Sequence, residues 1–353
     1  MTVPDTHRPA RADDSGAAPD GGRGWAVRGT GAHLPRDVAH SADLSRSLGL
    51  EPDWIERRTG IRRRHVAAPG EAASDLAAAA AGRALDAAGL DAADLGLIVL
   101  GTSTPDVIAP STACRVQTML GARSAAAFDI SAACSGFVFG LQTAIGWLAT
   151  QRGAPPYALV IGVEVYSRFL NPADRATAAL FGDGAAAAVV GPAPPGYGFG
   201  PITLGSDGSG ADDVLIPAGG SRLPASAETL AGLGHTIHMD GRAVRDFITE
   251  IFPRLVAEGT EAAGVKPADL ALVIPHQPNP RLVAALAGQA GLEPGQLAIV
   301  GDEVGNIGAA SIPYALDRAA RTHRIGPGDL VLLAGFGAGL TWGRTLLTWA
   351  PPP

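Results

Sequence analysis

The chain has 353 residues, 46% of them hydrophobic and 17% charged, a balance that forms a sizeable buried core rather than a disordered chain. A net charge of −7 argues against a general nucleic-acid binder, and 47 glycines and 28 prolines without a three-residue period exclude collagen. Two cysteines, Cys114 and Cys134, exclude a disulfide framework and a cysteine-rich zinc site, and no apolar run approaches the roughly 18 residues of a membrane span.

Residues 1–24 are rich in Pro, Asp, Ala and Gly with no apolar period, so a disordered leader is expected there. The leader lacks the apolar stretch of a secretory signal, which makes the cytoplasm the expected location. Residues 87–100 (AAGLDAADLGLIVL) then recur as residues 262–275 (AAGVKPADLALVIP). In each copy a helix ends at a glycine, Gly89 or Gly264, where the left-handed C-terminal conformation is tolerated. An apolar run too short for a helix follows and predicts a strand buried on both faces. The first strand leads into the polar loop GTSTPD, the second into His276-Gln277-Pro278-Asn279.

The two halves continue in parallel. Residues 128–133 lead to Cys134 and a predicted helix over 136–150, and residues 304–311 lead to a predicted helix over 312–322. Further buried strands are expected at 158–163 and 330–333. The pattern predicts two similar α/β lobes, residues 25–198 and 199–353, with a crossover near Gly196–Pro201 and ligands at strand ends and the lobe junction.

Cys134 stands where a strand gives way to small residues and a helix begins. The positive end of the helix dipole there favours a thiolate, and the setting is similar to a nucleophile elbow. A reactive thiol and a buried structural cysteine are both consistent with this local sequence. Cys114, inside a predicted helix, reads as core packing. His276 closes an apolar strand and faces a loop. His235 and His238 form a weak HxxH pair with no third ligand nearby, so no metal is expected. Asn306 lies between glycines in the stretch Gly305–Ser311, which occupies roughly the place in the second half that Cys134 occupies in the first; it reads as a turn residue or as a donor facing the thiol. The run Gly335-Phe336-Gly337-Ala338-Gly339 lacks the downstream acid of a dinucleotide site and suits a loop whose backbone N–H groups hold an oxyanion. The arginines at 57, 58 and 62–64 read mostly as a solvated basic face.

Six stretches, WIERRTGIRRRH (54–65), FDISAACSGF (128–137), FGDG (181–184), PHQPNPR (275–281), GNIGAASIP (305–313) and FGAGLTWG (336–343), together resemble the ketoacyl-acyl-carrier-protein synthase III family of the thiolase superfamily over about residues 25–350. The resemblance implies a duplicated, five-layered αβαβα thiolase fold, a homodimer and no cofactor. It implies a Cys134–His276–Asn306 triad, with the N–H groups of Cys134 and Ala338 as the oxyanion hole. An acyl group from acyl-CoA or acyl carrier protein would load onto Cys134 and condense with a malonyl thioester as CO₂ leaves; simple acyl transfer to another acceptor is the alternative. Trp54, Arg58 and Arg175 would bind coenzyme A, Asn279 the pantetheine arm, and Phe336 and Ala109 the acyl group, Ala109 from a loop reaching into the partner subunit. Arg245 and Arg281 would dock the acyl carrier protein. Val304 and Ile307 replace the His and Thr usual around the asparagine, which suggests a polyketide-priming relative rather than a housekeeping one. Ala109, where several acetyl-specific relatives carry Phe, suggests a starter larger than acetyl.

Overall fold

A computed structural model describes residues 24–151 and 155–353, so nearly all of the expected leader lies outside the described residues. The short apolar runs form two mixed sheets. In the first, five strands lie in the spatial order Trp25–His33, Asp183–Pro192, Tyr157–Val165, Leu95–Gly101, Ala126–Ile130. The first two pairings are antiparallel and the last two parallel. In the second sheet the order is Gly198–Ser206, Thr341–Thr348, Leu330–Gly337, Leu272–Pro275, with two antiparallel pairings followed by a parallel one. The fifth position is held by a single parallel bridge between Val273 and Leu297. Order and sense match strand for strand, as the sequence repeat predicts.

The predicted strands at 158–163 and 330–333 extend to Tyr157–Val165 and Leu330–Gly337, and the helix predicted over 312–322 runs Ser311–Arg321. Gly89 and Gly264 end their helices at φ 63° and 66°, the left-handed values expected of them.

Three core clusters glue five layers. Helix Ala73–Ala88 covers the outer face of the first sheet with a stripe of alanines. Those small side chains let the backbones touch: a Cβ on Gly31 would come within 2.4 Å of the Ala80 carbonyl oxygen. Helices Gly136–Thr150 and Ser311–Arg321 fill the space between the sheets, where Phe137, Leu141, Ile312 and Leu316 meet side chains of both. Helix Gly241–Ala263 covers the outer face of the second sheet through Ile248, Phe252 and Leu255. Each large apolar side chain removed from water in this way stabilises the fold by about 1.5–3 kcal/mol.

Contrary to the composition-based reading, the 18 residues Ala133–Thr150 are long and apolar enough to cross a membrane, with mean hydropathy 1.2. Their position explains the apolarity: the helix is sandwiched between two sheets and meets apolar neighbours on both sides.

Candidate active site

Strand Ala126–Ile130 leads into a 3-10 turn, Ala133–Ser135, from which helix Gly136–Thr150 starts. Ala133 sits at φ +45°, a left-handed conformation that costs a residue with a Cβ about 1–2 kcal/mol. The surroundings hold it there. A Cβ on Gly337 would lie 2.8 Å from the Cys134 nitrogen, so only glycine lets the end of strand Leu330–Gly337 reach the turn. The Thr341 hydroxyl lies 3.1 Å from the Ala132 carbonyl oxygen and 3.0 Å from that of Ala338, and the Ser135 hydroxyl donates to the Thr341 carbonyl at 3.1 Å. One threonine thus ties the cysteine turn to the Ala338 loop. Ala338 is not among the residues with positive φ, so alanine fits there without strain.

His276 follows strand Leu272–Pro275, and its N–H donates to the Ala334 carbonyl at 2.9 Å. The ring is 2% exposed and stands edge-on to Phe336, centroids 5.5 Å apart. Its neighbour Gln277 fixes the loop: Oε1 accepts from the N–H groups of Val300 and Gly301 at 2.9 Å, and Nε2 donates to the Ala298 carbonyl at 2.8 Å. Asn306 is held from three directions. Its N–H donates to Leu180, its carbonyl accepts from the Gly182 N–H, and its Oδ1 accepts from the Gly308 N–H at 2.9 Å. The amide NH₂ is the end that remains for a ligand. Val304 and Ile307, which flank this loop, are buried core contacts; that accounts for apolar residues at those positions.

Cys134, His276 and Asn306 line one cavity of about 630 Å³, together with Phe336, Gly337 and Ala338. Arg58, Asn279, Arg245 and Arg281 line it too. Asn279 also caps helix Pro280–Leu286, its Oδ1 accepting from the Leu282 N–H at 3.0 Å. Trp54 has the Arg58 guanidinium 5.6 Å from its ring centre and that of Arg175 at 5.9 Å. Ala109 is exposed on its loop and does not line the cavity of its own chain.

The electrostatics correct one expectation. The helix end was expected to favour a thiolate at Cys134, but burial, aided by the nearby Glu164 carboxylate, pushes the thiol up to about 12. Burial alone pushes His276 down to about 3. The resting pair is therefore thiol and neutral imidazole, and a neutral imidazole retains one N–H donor.

Another expectation fails at Arg64. It is 3% exposed rather than solvated, and its guanidinium donates to the Ala178 carbonyl at 2.9 Å and the Ser41 hydroxyl at 2.7 Å. Arg62 and Arg63 do face solvent, paired with Asp302 and Glu303. Cys114, in helix Thr112–Leu120, touches the Ser111 hydroxyl at 3.1 Å and does not line the cavity. His238 is exposed, and among the described residues no group of three His, Cys, Asp or Glu side chains is placed to hold a metal.

Two side chains that the sequence reading passed over stand beside Cys134. Glu164 is fully buried, and its carboxyl accepts from the Ser103 N–H at 3.1 Å, the Thr104 hydroxyl at 2.9 Å and the Ala309 N–H at 3.4 Å. Burial raises it to about 8. Tyr166, 4% exposed, lines the cavity with its ring 4.7 Å from that of Phe181. The signal was a lone acid interrupting the apolar run at Val163-Glu164-Val165.

A duplicated five-layered core with a thiol, an imidazole and an amide on one cavity is the build of a thiolase-fold condensing enzyme. Known proteins narrow that class. Residues 128–208 match the family described as 3-oxoacyl-[acyl-carrier-protein] synthase III, and residues 260–349 match its C-terminal part. The chain is 44% identical to a β-ketoacyl-[acyl-carrier-protein] synthase III of Caldanaerobacter subterraneus over 324 residues, which span 92% of this chain and 97% of that one. It is 45% identical to the acetoacetyl CoA synthase NphT7 of Streptomyces sp. strain CL190 over 326 residues, 92% and 98% of the two chains. The crystal structure of the priming β-ketosynthase from the R1128 polyketide pathway superposes with a TM-score of 0.85 at 33% identity, covering 94% of this chain and 98% of the other. The chain belongs to the β-ketoacyl-[acyl-carrier-protein] synthase III family of condensing enzymes.

Proposed function

We propose that this enzyme takes an acyl group from acyl-CoA or acyl carrier protein onto Cys134 and condenses it with a malonyl thioester, priming a polyketide or fatty-acid chain. The observation that carries this reading is the single cavity shared by Cys134, His276, Asn306 and the Ala338 loop. In the first half-reaction the Cys134 sulfur replaces the donor thiol at the acyl carbon, and the displaced thiol carries away the proton. In the second, the malonyl carboxylate leaves as CO₂ and its bonding electrons form an enolate. Neutral His276 and the Asn306 NH₂ donate to the thioester oxygen as that charge develops. Preorganised donors of this kind contribute about 3–4 kcal/mol each. The enolate carbon then attacks the acyl carbon, the N–H groups of Cys134 and Ala338 hold the oxyanion, and Cys134 leaves as a sulfur anion that regains a proton.

Trp54, with the guanidinium groups of Arg58 and Arg175 near its ring, offers a stacking surface for an adenine, with the two arginines for phosphate. Asn279 meets the pantetheine arm, and Arg245 and Arg281, both lining the cavity, receive an acidic carrier protein. The division near residue 198 separates the lobe that supplies the thiol from the lobe that supplies His276 and Asn306. A homodimer fits the open edge strand Ala126–Ile130, whose Phe128 is 37% exposed, and the adjoining loop, where Ile108 is 83% exposed. In that dimer Ala109 contributes to the partner subunit's acyl site. Names of relatives support both halves of this proposal: one makes acetoacetyl CoA, another primes a polyketide.

The test is release of ¹⁴CO₂ from carboxyl-labelled malonyl-CoA or malonyl carrier protein by acyl-loaded enzyme. Release equal to the acyl groups consumed is expected. Acyl transfer to an acceptor with no CO₂ would replace the condensation reading with simple acyl transfer.

A further inference from the structure

The sequence repeat matches Leu100 with Pro275, and in the two sheets these residues lie opposite Ile161 and Ala334. Three residues further along each strand, Glu164 in the first lobe therefore corresponds to Gly337 in the second. Gly337 leaves open the space beside the turn that carries Cys134. Glu164 does the reverse. It fills the space beside the turn Gly308–Ala310, which opens helix Ser311–Arg321 as the cysteine turn opens helix Gly136–Thr150. A buried acid thus stands against the turn that directly follows Asn306.

We propose that Glu164 is a positioning residue for the condensation step: its carboxyl, anchored in the first lobe, fixes the second-lobe turn Gly308–Ala310 and so aims the Asn306 amide into the cavity. The inference rests on the reading of Asn306 as a donor to the malonyl enolate. Glu164 itself touches no substrate in this role and transfers no proton.

The contacts run in an unbroken chain. On the first-lobe side the carboxyl accepts from the Ser103 N–H at 3.1 Å and the Thr104 hydroxyl at 2.9 Å. The Thr104 oxygen accepts from the Val165 N–H at 2.8 Å, which leaves its own proton for the carboxyl. On the second-lobe side the carboxyl accepts from the Ala309 N–H at 3.4 Å. Its neighbour Gly308 packs against the same side chain: at φ +49°, a Cβ there would lie 2.7 Å from Glu164 Cγ and 2.8 Å from Oε1. The Gly308 N–H donates to Asn306 Oδ1 at 2.9 Å. Consecutive N–H groups of one turn therefore meet Asn306 and Glu164. With Oδ1 held by the turn, the place of the turn decides where the amide NH₂ points. Ser103 and Asn306, at the two ends of this chain, both line the cavity.

The experiment separates the two half-reactions in single turnovers. Acylation of Cys134 by acetyl-CoA is followed by intact-protein mass spectrometry, and condensation by ¹⁴CO₂ release when acyl-loaded enzyme meets carboxyl-labelled malonyl-CoA. Glu164→Ala is expected to acylate at least as fast as wild type, because the carboxyl it removes disfavours the thiolate. It is expected to condense about 10- to 100-fold more slowly, the cost of a displaced donor. Glu164→Gln keeps an acceptor oxygen for the Ala309 N–H and should recover most of that loss. Glu164→Met fills the volume without accepting a hydrogen bond and should show the same split as alanine; it carries the test if melting temperatures show that the smaller residue unfolds the chain. The decisive arm adds each variant to Asn306→Ala. A residue that acts by aiming the amide has nothing left to aim, so condensation should stay at the rate of Asn306→Ala alone. Condensation by Glu164→Met at the wild-type rate, equal slowing of both half-reactions, or the full further loss in the Asn306→Ala background would overturn the positioning role and leave the condensation reading standing. A wild type that is acylated but releases no CO₂ would overturn the reading beneath it, and this role with it.

Discussion

Two turns at the heart of the molecule are copies of each other. In the first lobe the 3-10 turn Ala133–Ser135 opens helix Gly136–Thr150; in the second, Gly308–Ala310 opens helix Ser311–Arg321. Both begin on a residue of left-handed φ, +45° at Ala133 and +49° at Gly308. Cys134 therefore corresponds to Ala309, and the two face opposite partners. Cys134 meets Gly337 at the end of a second-lobe strand, where a Cβ would collide with it. The Ala309 N–H meets the Glu164 carboxyl from the corresponding first-lobe strand, and its carbonyl would lie 2.2 Å from a Cβ on Gly162. Duplication supplied one scaffold twice. Function then diverged in single side chains: a thiol against glycines in one copy, an alanine against a buried acid in the other, with Asn306 held just ahead of the second turn.

The largest test of this comparison moves the thiol. Cys134→Ala is expected to abolish acyl-enzyme formation, and adding Ala309→Cys is expected not to restore it, because that site faces Glu164 and is fully buried. Acylation of the relocated cysteine would show the two turns to be functionally equivalent. Next in size, Asn306→Ala should still accept the acyl group but lose condensation by about 10²–10³-fold; single-turnover assays of the two half-reactions read this directly, and near wild-type condensation would reduce Asn306 to a turn residue.

The sequence repeat carried the fold a long way, because buried parallel strands and glycine-ended helices leave apolar runs and punctuation that survive duplication. Cys134 and His276 were legible as candidates for a related reason: each lies just past a strand end; Asn306, which follows helix Gly301–Val304, stood out only through its place between glycines and the family resemblance. Glu164 and Tyr166 were not legible. The predicted strand stopped at Val163, and an acid inside it looks like its end until Ser103, Thr104 and Ala309 are seen satisfying the carboxyl. Arg64 was hidden in a basic run, and Thr341 in a glycine-rich one; their roles arise from contacts far apart in sequence. The helix-dipole argument for a thiolate failed because burial outweighs it.

A smaller effect concerns the acid facing the second turn. The Glu164 pKa is raised from 4.5 to about 8 on folding, so the native state holds its proton more tightly than the unfolded chain. The stabilisation is complete below pH 4.5 and is lost as pH rises through about 8. His276, lowered from 6.5 to about 3, contributes in the opposite sense, and its contribution is already complete above pH 6.5. Between pH 6.5 and 8 the melting temperature of wild type should therefore fall relative to that of Glu164→Gln, a difference read by calorimetry. Parallel curves across that window would mean that Glu164 is already ionised. The smallest effect is at Ala109, which the proposed dimer would bring to the partner subunit's acyl site. Ala109→Phe should shift the starter preference from longer acyl-CoAs toward acetyl-CoA, at about 0.8 kcal/mol per CH₂ excluded; an acetyl preference in wild type that the substitution leaves unchanged would contradict it.

The most direct measurement is the location of the acyl group. Wild-type enzyme incubated with acyl-CoA, digested and sequenced by mass spectrometry should carry the adduct on the peptide containing Cys134 and none on that containing Cys114, and adding malonyl thioester should clear it. An adduct on Cys114, or one that persists in Cys134→Ala, would contradict the account at its centre.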